Sequence, residues 1–263
     1  MKILLTNDDG IHATGIKSFM ESLSIDNEVY VIAPDGERSA AGHSITLNTP
    51  LRVEEVQPSF NVKKAWKVSG TPGDCVKIGI NAILAEDEKP DIVISGPNHG
   101  PNLGRDILYS GTVSAALEGA IYGFPSIAIS VAGNTQLSCH FQYAAQFIRR
   151  FLQNLPASAI PEKSILNINI PSIPSEDITG LEVTKLGTRM YTDTYEKRSD
   201  PRGKVYYWLA GELITQDKEQ GSDIEALRNN KVSITPVTFE ITNTKEIQNL
   251  EQILCQNGSC EWF

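Results

Sequence analysis

The chain has 263 residues, 40% of them hydrophobic and 21% charged, with a net charge of −9 and a pI of about 5.0. That length suits one large domain or a domain with a smaller appendage, and the composition is that of an ordinary soluble globular protein. The acidic balance excludes a general binder of nucleic-acid polymers, which needs a basic face. It leaves room for a small phosphorylated ligand whose charge a bound cation offsets.

The opening apolar run, Ile3–Leu5, is too short for a signal-peptide core, and no segment approaches the ~20 apolar residues of a membrane span. A cytoplasmic protein without membrane contact is expected. Lys2–Thr6 and Glu28–Ala33 read as short strands, followed later by Asp91–Ser95 and Ser126–Val131. Each is a nearly continuous apolar run, the signature of strands buried on both faces of a parallel sheet. Helical spacing lies between them. Ile16, Phe19, Met20 and Leu23 form one stripe. Thr71-Pro72 reads as an N-cap with a first-turn proline, leading into Val76, Ile80, Ile83 and Leu84. Val113, Ala116, Leu117, Ala120 and Ile121 form a third stripe, and Phe141, Ala144, Ala145, Ile148 and Leu152 a fourth. This alternation predicts an α/β fold with a mostly parallel sheet and helices on both faces.

The texture changes near Asn154. Ser164–Ile170 still reads as a sheet strand. Pro171–Gly180 is rich in Pro and Ser, and β-prone stretches follow at Leu181–Leu186, Val205–Leu209 and Lys231–Val237. Polar residues fill Thr192–Lys204, and Lys245–Leu254 reads as a closing amphipathic helix. The expected division is a Rossmann-like α/β core over 1–171 and a C-terminal β extension with a hairpin and closing helix over 172–263. The four cysteines, Cys75, Cys139, Cys255 and Cys260, match no common zinc pattern and read as reduced thiols, Cys75 as core packing.

In an open parallel sheet, ligands bind beyond the carboxyl ends of the strands. After the first strand comes Asn7-Asp8-Asp9-Gly10, and after the second Asp35–Ser39, leading to Gly42-His43-Ser44. After the Asp91–Ser95 strand come the Gly/Asn loop Gly96–Gly104 and then Tyr109–Thr112. Adjacent carboxylates face one site only where the chain has begun to turn, which Gly10 permits. Two such anions repel unless a cation compensates, and a hard cation such as Mg²⁺ or Mn²⁺ takes oxygen ligands. Ser39 and Asn98 are candidate neutral ligands. Ser110, Gly111 and Thr112 open a helix, whose N-terminal N–H groups and dipole favour an anion. The bland readings are a solvated Asp-Asp turn, a Ser/Thr cap, and exposed loop histidines at His43 and His99.

These residues are familiar as a set. MKILLTNDDG (Met1–Gly10), APDGERSAAGHSIT (Ala33–Thr46), GTPGDC (Gly70–Cys75), DIVISGPNHGPNLG (Asp91–Gly104) and YSGTVSAALEG (Tyr109–Gly119) resemble the SurE or survival-protein family, in the family's order. The resemblance is strong over 1–131. It returns at GSDIEA (Gly221–Ala226) and VSITP (Val232–Pro236). It implies a Rossmann-like domain, an extended hairpin used in homo-oligomers (dimer or tetramer), and 5′-nucleotidase activity on nucleoside monophosphates, with 3′-esters and short polyphosphate as further substrates. It implies one divalent ion per subunit, Mn²⁺ or Mg²⁺, on Asp8, Asp9, Ser39 and Asn98. Phosphate would lie on Ser110, Gly111 and Thr112 beside Asn98, and Asp8, Asp9, Asn98, Ser110 and Thr112 would carry catalysis. The chain departs from the family pattern at Ala40, where glycine is usual, and at Gly73 and Pro97.

Competing readings are a sugar or general phosphatase of another α/β type, a non-catalytic nucleotide-binding protein, and a signalling receiver domain. The last needs an aspartate after its third strand and a lysine after its fifth, neither of which is evident. No general acid is assigned: His43, His99 and a leaving alkoxide stabilised by solvent all stand open.

Overall fold

Strand β1 (Lys2–Thr6) is buried from Ile3 onward, with Ile3 and Leu5 in one hydrophobic cluster and Leu4 in another. This period-two alternation forces cover on both faces. The structure is a computed structural model that describes residues 1–133, 141–156, 159–188, 190–192, 194–214 and 219–254. One face is covered by α1 (Thr14–Leu23) and α4 (Phe141–Asn154), through Ile16, Phe19, Ala144 and Ile148. The other is covered by α2 (Pro72–Ile78), running on into a π-type turn at Gly79–Ile83, and by α3 (Gly111–Ile121).

The remaining core strands are β2 (Glu28–Pro34), β3 (Val53–Val56), β4 (Lys64–Val68), β5 (Ile92–His99), β6 (Ser126–Ala132) and β7 (Ser164–Pro171). From the C-terminal part β8 (Gly180–Val183) and β13 (Lys231–Thr238) join the same nine-stranded sheet, in the order β3-β4-β2-β1-β5-β6-β7-β13-β8. From β4 to β7 all neighbours are parallel, whereas β3 runs antiparallel to β4 and β13 antiparallel to β7. The chain builds outward from β1 through β2 to β4, then crosses back to β5 on the other side. The β1/β5 boundary is therefore the topological switch point, where ligands bind in such sheets.

Beyond β8 lie the short pair β9 (Met190–Tyr191) and β12 (Leu213–Ile214) and the hairpin β10 (Thr194–Ser199) with β11 (Val205–Ala210). Then come α5 (Asp223–Arg228) and, after β13, α6 (Thr244–Leu254). Every residue of β10 and β11 is exposed, and α6 buries none. Cys75 is fully buried and free, as its place in the helical stripe predicts. Cys139, Cys255 and Cys260 lie outside the described residues.

Candidate active site

The turn after β1 is built by two residues. Gly10 adopts a positive φ of 96°, and an added Cβ would meet Gly36 backbone at 3.0 Å, so only glycine lets the β1 and β2 loops approach this closely. Asn7, fully buried, donates from Nδ2 to the Gly10 carbonyl at 3.0 Å. That closed turn breaks the strand alternation that would send Asp8 and Asp9 to opposite faces.

Asp8 is only 6% exposed and sits against the start of α3. The Thr112 hydroxyl donates to Asp8 Oδ1 at 2.7 Å. A Cβ on Gly111 would come within 3.0 Å of Asp8 Cβ, so the glycine is needed here for the carboxylate's approach. Burial pushes the Asp8 carboxyl up to about 6; the Thr112 hydroxyl opposes the shift and Asp9 adds to it. Asp9 is half-buried, and its Oδ2 accepts the His99 backbone N–H at 3.3 Å. Its carboxyl is also raised by burial, with the His99 N–H opposing. Among the described residues, neither aspartate forms an ion pair with Lys or Arg.

Asn98 is half-buried and donates from Nδ2 to the Gly100 carbonyl at 2.8 Å, leaving its Oδ1 as the acceptor suited to a hard cation. It lies past a bulge in β5 between Ser95 and Asn98, which includes the cis Gly96–Pro97 peptide. Ser39 is tied to the site through its neighbour: the Arg38 N–H donates to the Asp8 carbonyl at 2.7 Å. The Ser39 hydroxyl itself is exposed and donates to Glu37 Oε1 at 2.6 Å. Arg38 is occupied elsewhere, with Nη2 2.8 Å from Asp35 Oδ1. Ser110 caps α3, its Oγ accepting the Val113 N–H at 3.1 Å. Asp8 thus meets Gly111 and Thr112, Asp9 meets the backbone next to Asn98, and the β2 loop that carries Ser39 is tethered to Asp8 through Arg38.

The histidines take other places. His43 Nε2 lies 3.0 Å from Glu118 Oε2, a buried acid on α3 that also pairs with Lys77 at 3.1 Å. The His43 contact and the Lys77 pair hold Glu118 below the usual carboxylate range against burial. The His99 ring packs edge-on against Phe141. The sequence reading passed over Asn7, Glu118 and Asn102. The Asn102 backbone N–H donates to Asn169 Oδ1, its Nδ2 donates to Ser130 Oγ, and its carbonyl accepts from Asn167 and Asn169. The near-repeat of Pro-Asn at 97–98 and 101–102 was a signal for Asn102; Glu118 carried none beyond being the one acid in an apolar helix.

Fold and site together define a Rossmann-like α/β protein with two adjacent carboxylates at the switch point, Asp8 against the N-terminus of a helix and Asp9 on the His99 backbone N–H, and, among the described residues, no Lys or Arg ion pair to either. The family model described as Survival protein SurE matches residues 3–193, and the chain belongs to that family. It is 49% identical over 260 residues to a 5′-nucleotidase SurE of Thermosynechococcus vestitus, covering 97% of each chain. It is 48% identical to a 5′-nucleotidase SurE of Heliobacterium modesticaldum, covering 97% of this chain and 92% of that one. Among solved structures, the SurE protein from Aquifex aeolicus superposes with a TM-score of 0.82 at 41% identity, over 95% of this chain and 98% of that one.

Proposed function

We propose that this chain is a 5′-nucleotidase that hydrolyses nucleoside monophosphates with one divalent cation, Mn²⁺ or Mg²⁺, and acts as a homo-oligomer in the cytoplasm. The observation that carries the reading is the Asp8–Asp9 pair: Asp8 is buried against the α3 N-terminus, Asp9 is half-buried beside it, and among the described residues neither pairs with Lys or Arg. The donor set fits a hard cation: two carboxylates, the Asn98 Oδ1, and the Ser39 hydroxyl once released from Glu37. A cation bound there supplies positive charge for the phosphoryl group and acidifies water at the site.

The chain's own residues orient and bind. Thr112 fixes the rotamer of Asp8 with its hydroxyl, and the His99 N–H does the same for Asp9. Among the described residues the Gly111 N–H has no partner, so the helix start offers it and the dipole to a phosphoryl oxygen. Ser110 holds the helix start in shape as its cap. Exposed Tyr109 stands beside that start as a stacking surface for a base. The test is phosphate release from nucleoside monophosphates, sugar phosphates, short polyphosphate and an aryl phosphate, with Mn²⁺ and with excess chelator. Nucleoside 5′-monophosphates should give the highest kcat/KM among biological esters. Full activity in chelator removes the metal, and equal rates across the panel reduce the activity to that of a general phosphatase.

A further inference from the structure

The Gly221–Ala226 motif takes no part in the site described above, yet its aspartate is among the most buried charged groups in the protein. Asp223, on α5, is 0% exposed. Its Oδ2 accepts the Gly104 N–H at 2.8 Å, and its Oδ1 accepts the Gly187 N–H at 2.8 Å and the Ile224 N–H at 2.9 Å. Gly104 begins the 3-10 turn Gly104–Tyr109 that runs directly into Ser110 and α3. Gly187 stands at the root of the arm formed by β9–β12. A second link joins the same two segments: the Tyr191 hydroxyl on β9 donates to Asp106 Oδ2 at 2.6 Å. The front of the connector is fixed independently, because Asn102 is bolted to β6 and β7. Its second half, the part that sets where α3 begins, is held by the packing of Ile107 against α3 and by the Gly42 N–H on the Tyr109 carbonyl, and it also takes two side-chain bonds from the C-terminal region.

A buried carboxylate that accepts several backbone N–H bonds is stable only while those donors stay in place, and losing it orphans buried donors in two segments at once. We propose that Asp223 and Tyr191 are positioning residues for the phosphate-binding turn, so that the seating of the arm sets the geometry of Ser110–Thr112. This rests on the phosphatase reading of that site. An amide at 223 presents an NH₂ to one of the N–H groups and detaches either the turn or the arm root. A phenylalanine at 191 removes the hydroxyl of the second link and keeps the ring.

The experiment compares the full-length protein with Asp223→Asn, Tyr191→Phe and a control, Thr179→Val. The control removes a hydroxyl that holds the far end of α5 through the Asn229 carbonyl at 2.8 Å, without touching the connector. Melting temperature, kcat and KM for a nucleoside 5′-monophosphate with Mn²⁺, and the inhibition constant of inorganic phosphate are measured for each. Asp223→Asn should raise both KM and the phosphate constant about tenfold, and Tyr191→Phe severalfold at an unchanged melting temperature. Thr179→Val should lower the melting temperature and leave both constants alone. Wild-type constants in Tyr191→Phe and in folded Asp223→Asn overturn the proposal, and Tyr191→Phe decides alone if Asp223→Asn does not fold. If the wild type releases no phosphate from any nucleoside monophosphate, the phosphatase reading fails separately. Calorimetric titration of phosphate with Mn²⁺ into the same variants then decides the positioning role.

Discussion

Asp8 shows how one residue carries opposite demands. Its carboxyl is raised from 3.8 to about 6 because it is buried, so without metal the folded state holds that proton more tightly than the unfolded chain does. Stability from this group is therefore full below its unfolded value and is lost as pH rises through about 6. The rise to about 6 amounts to roughly 3 kcal/mol. In chelator, Asp8→Asn should melt higher than wild type at pH 7, with the gap closing toward pH 4. With Mn²⁺ the order should reverse, since the cation stabilises only the chain that binds it. The same substitution should lower kcat by about two or more orders of magnitude. Melting temperatures that run parallel at all pH values would remove the burial argument. Thr112→Val deletes the hydroxyl on Asp8, whereas the cap is Ser110. It should lower kcat/KM about tenfold or more with the protein still folded, at a cost of about 1–3 kcal/mol for the lost bond to a buried carboxylate, whereas Ser110→Ala should lose about 1 kcal/mol with a smaller change in kcat/KM. Ala40 holds a positive φ of 53° at the position where the family pattern has glycine. Ala40→Gly should therefore raise stability by about 1 kcal/mol in a denaturant titration.

At the scale of elements, what the sequence disclosed follows from where burial falls. β1, β2, β5 and β6 were legible because strands covered on both faces write continuous apolar runs. β3 is Val-Glu-Glu-Val with exposed glutamates, and β4 alternates lysines with buried Ala65 and Trp66, so neither carries that signal. α5 has six residues, too few for a helical period, and β10 reads Thr-Tyr-Glu-Lys-Arg-Ser with no buried face. The Asp8–Asp9 pair was legible from its place after the first strand. The bond from Thr112 to Asp8 was not, because it exists only where α3 abuts the β1 turn, 104 residues away in sequence. Gly111 makes that contact testable. Alanine there favours the helix by up to about 1 kcal/mol, but its Cβ meets Asp8 at 3.0 Å and Pro72 at 3.2 Å. Gly111→Ala should keep or raise the melting temperature while kcat falls. Unchanged kcat would mean that Asp8 yields freely.

At the scale of the whole molecule, the arm exposes apolar side chains on both of its faces. A two-stranded hairpin alone is marginal in water, yet β10–β11 puts Tyr195 opposite Leu209, Lys197 opposite Tyr207 and Ser199 opposite Val205 on one exposed face. Glu196 pairs with Trp208 and Arg198 with Tyr206 on the other. α6 adds an exposed stripe of Ile247, Leu250, Ile253 and Leu254. With a net charge of −9 on each copy, chains repel at long range, so association, where tested, should rest on apolar contacts such as these. Light scattering at micromolar concentration should find the wild type as a dimer or tetramer. Leu209→Glu places a carboxylate in the apolar face at a position 67% exposed in the single chain. It should leave the fold of the protomer intact but shift the population toward smaller species. Because the arm root is tied to the Gly104–Tyr109 turn through Asp223 and Tyr191, that dissociation should, on the proposed phosphate site, also raise KM more than it lowers kcat. A wild type that is monomeric at this concentration, or a dissociated Leu209→Glu with unchanged KM, would uncouple the arm from the site.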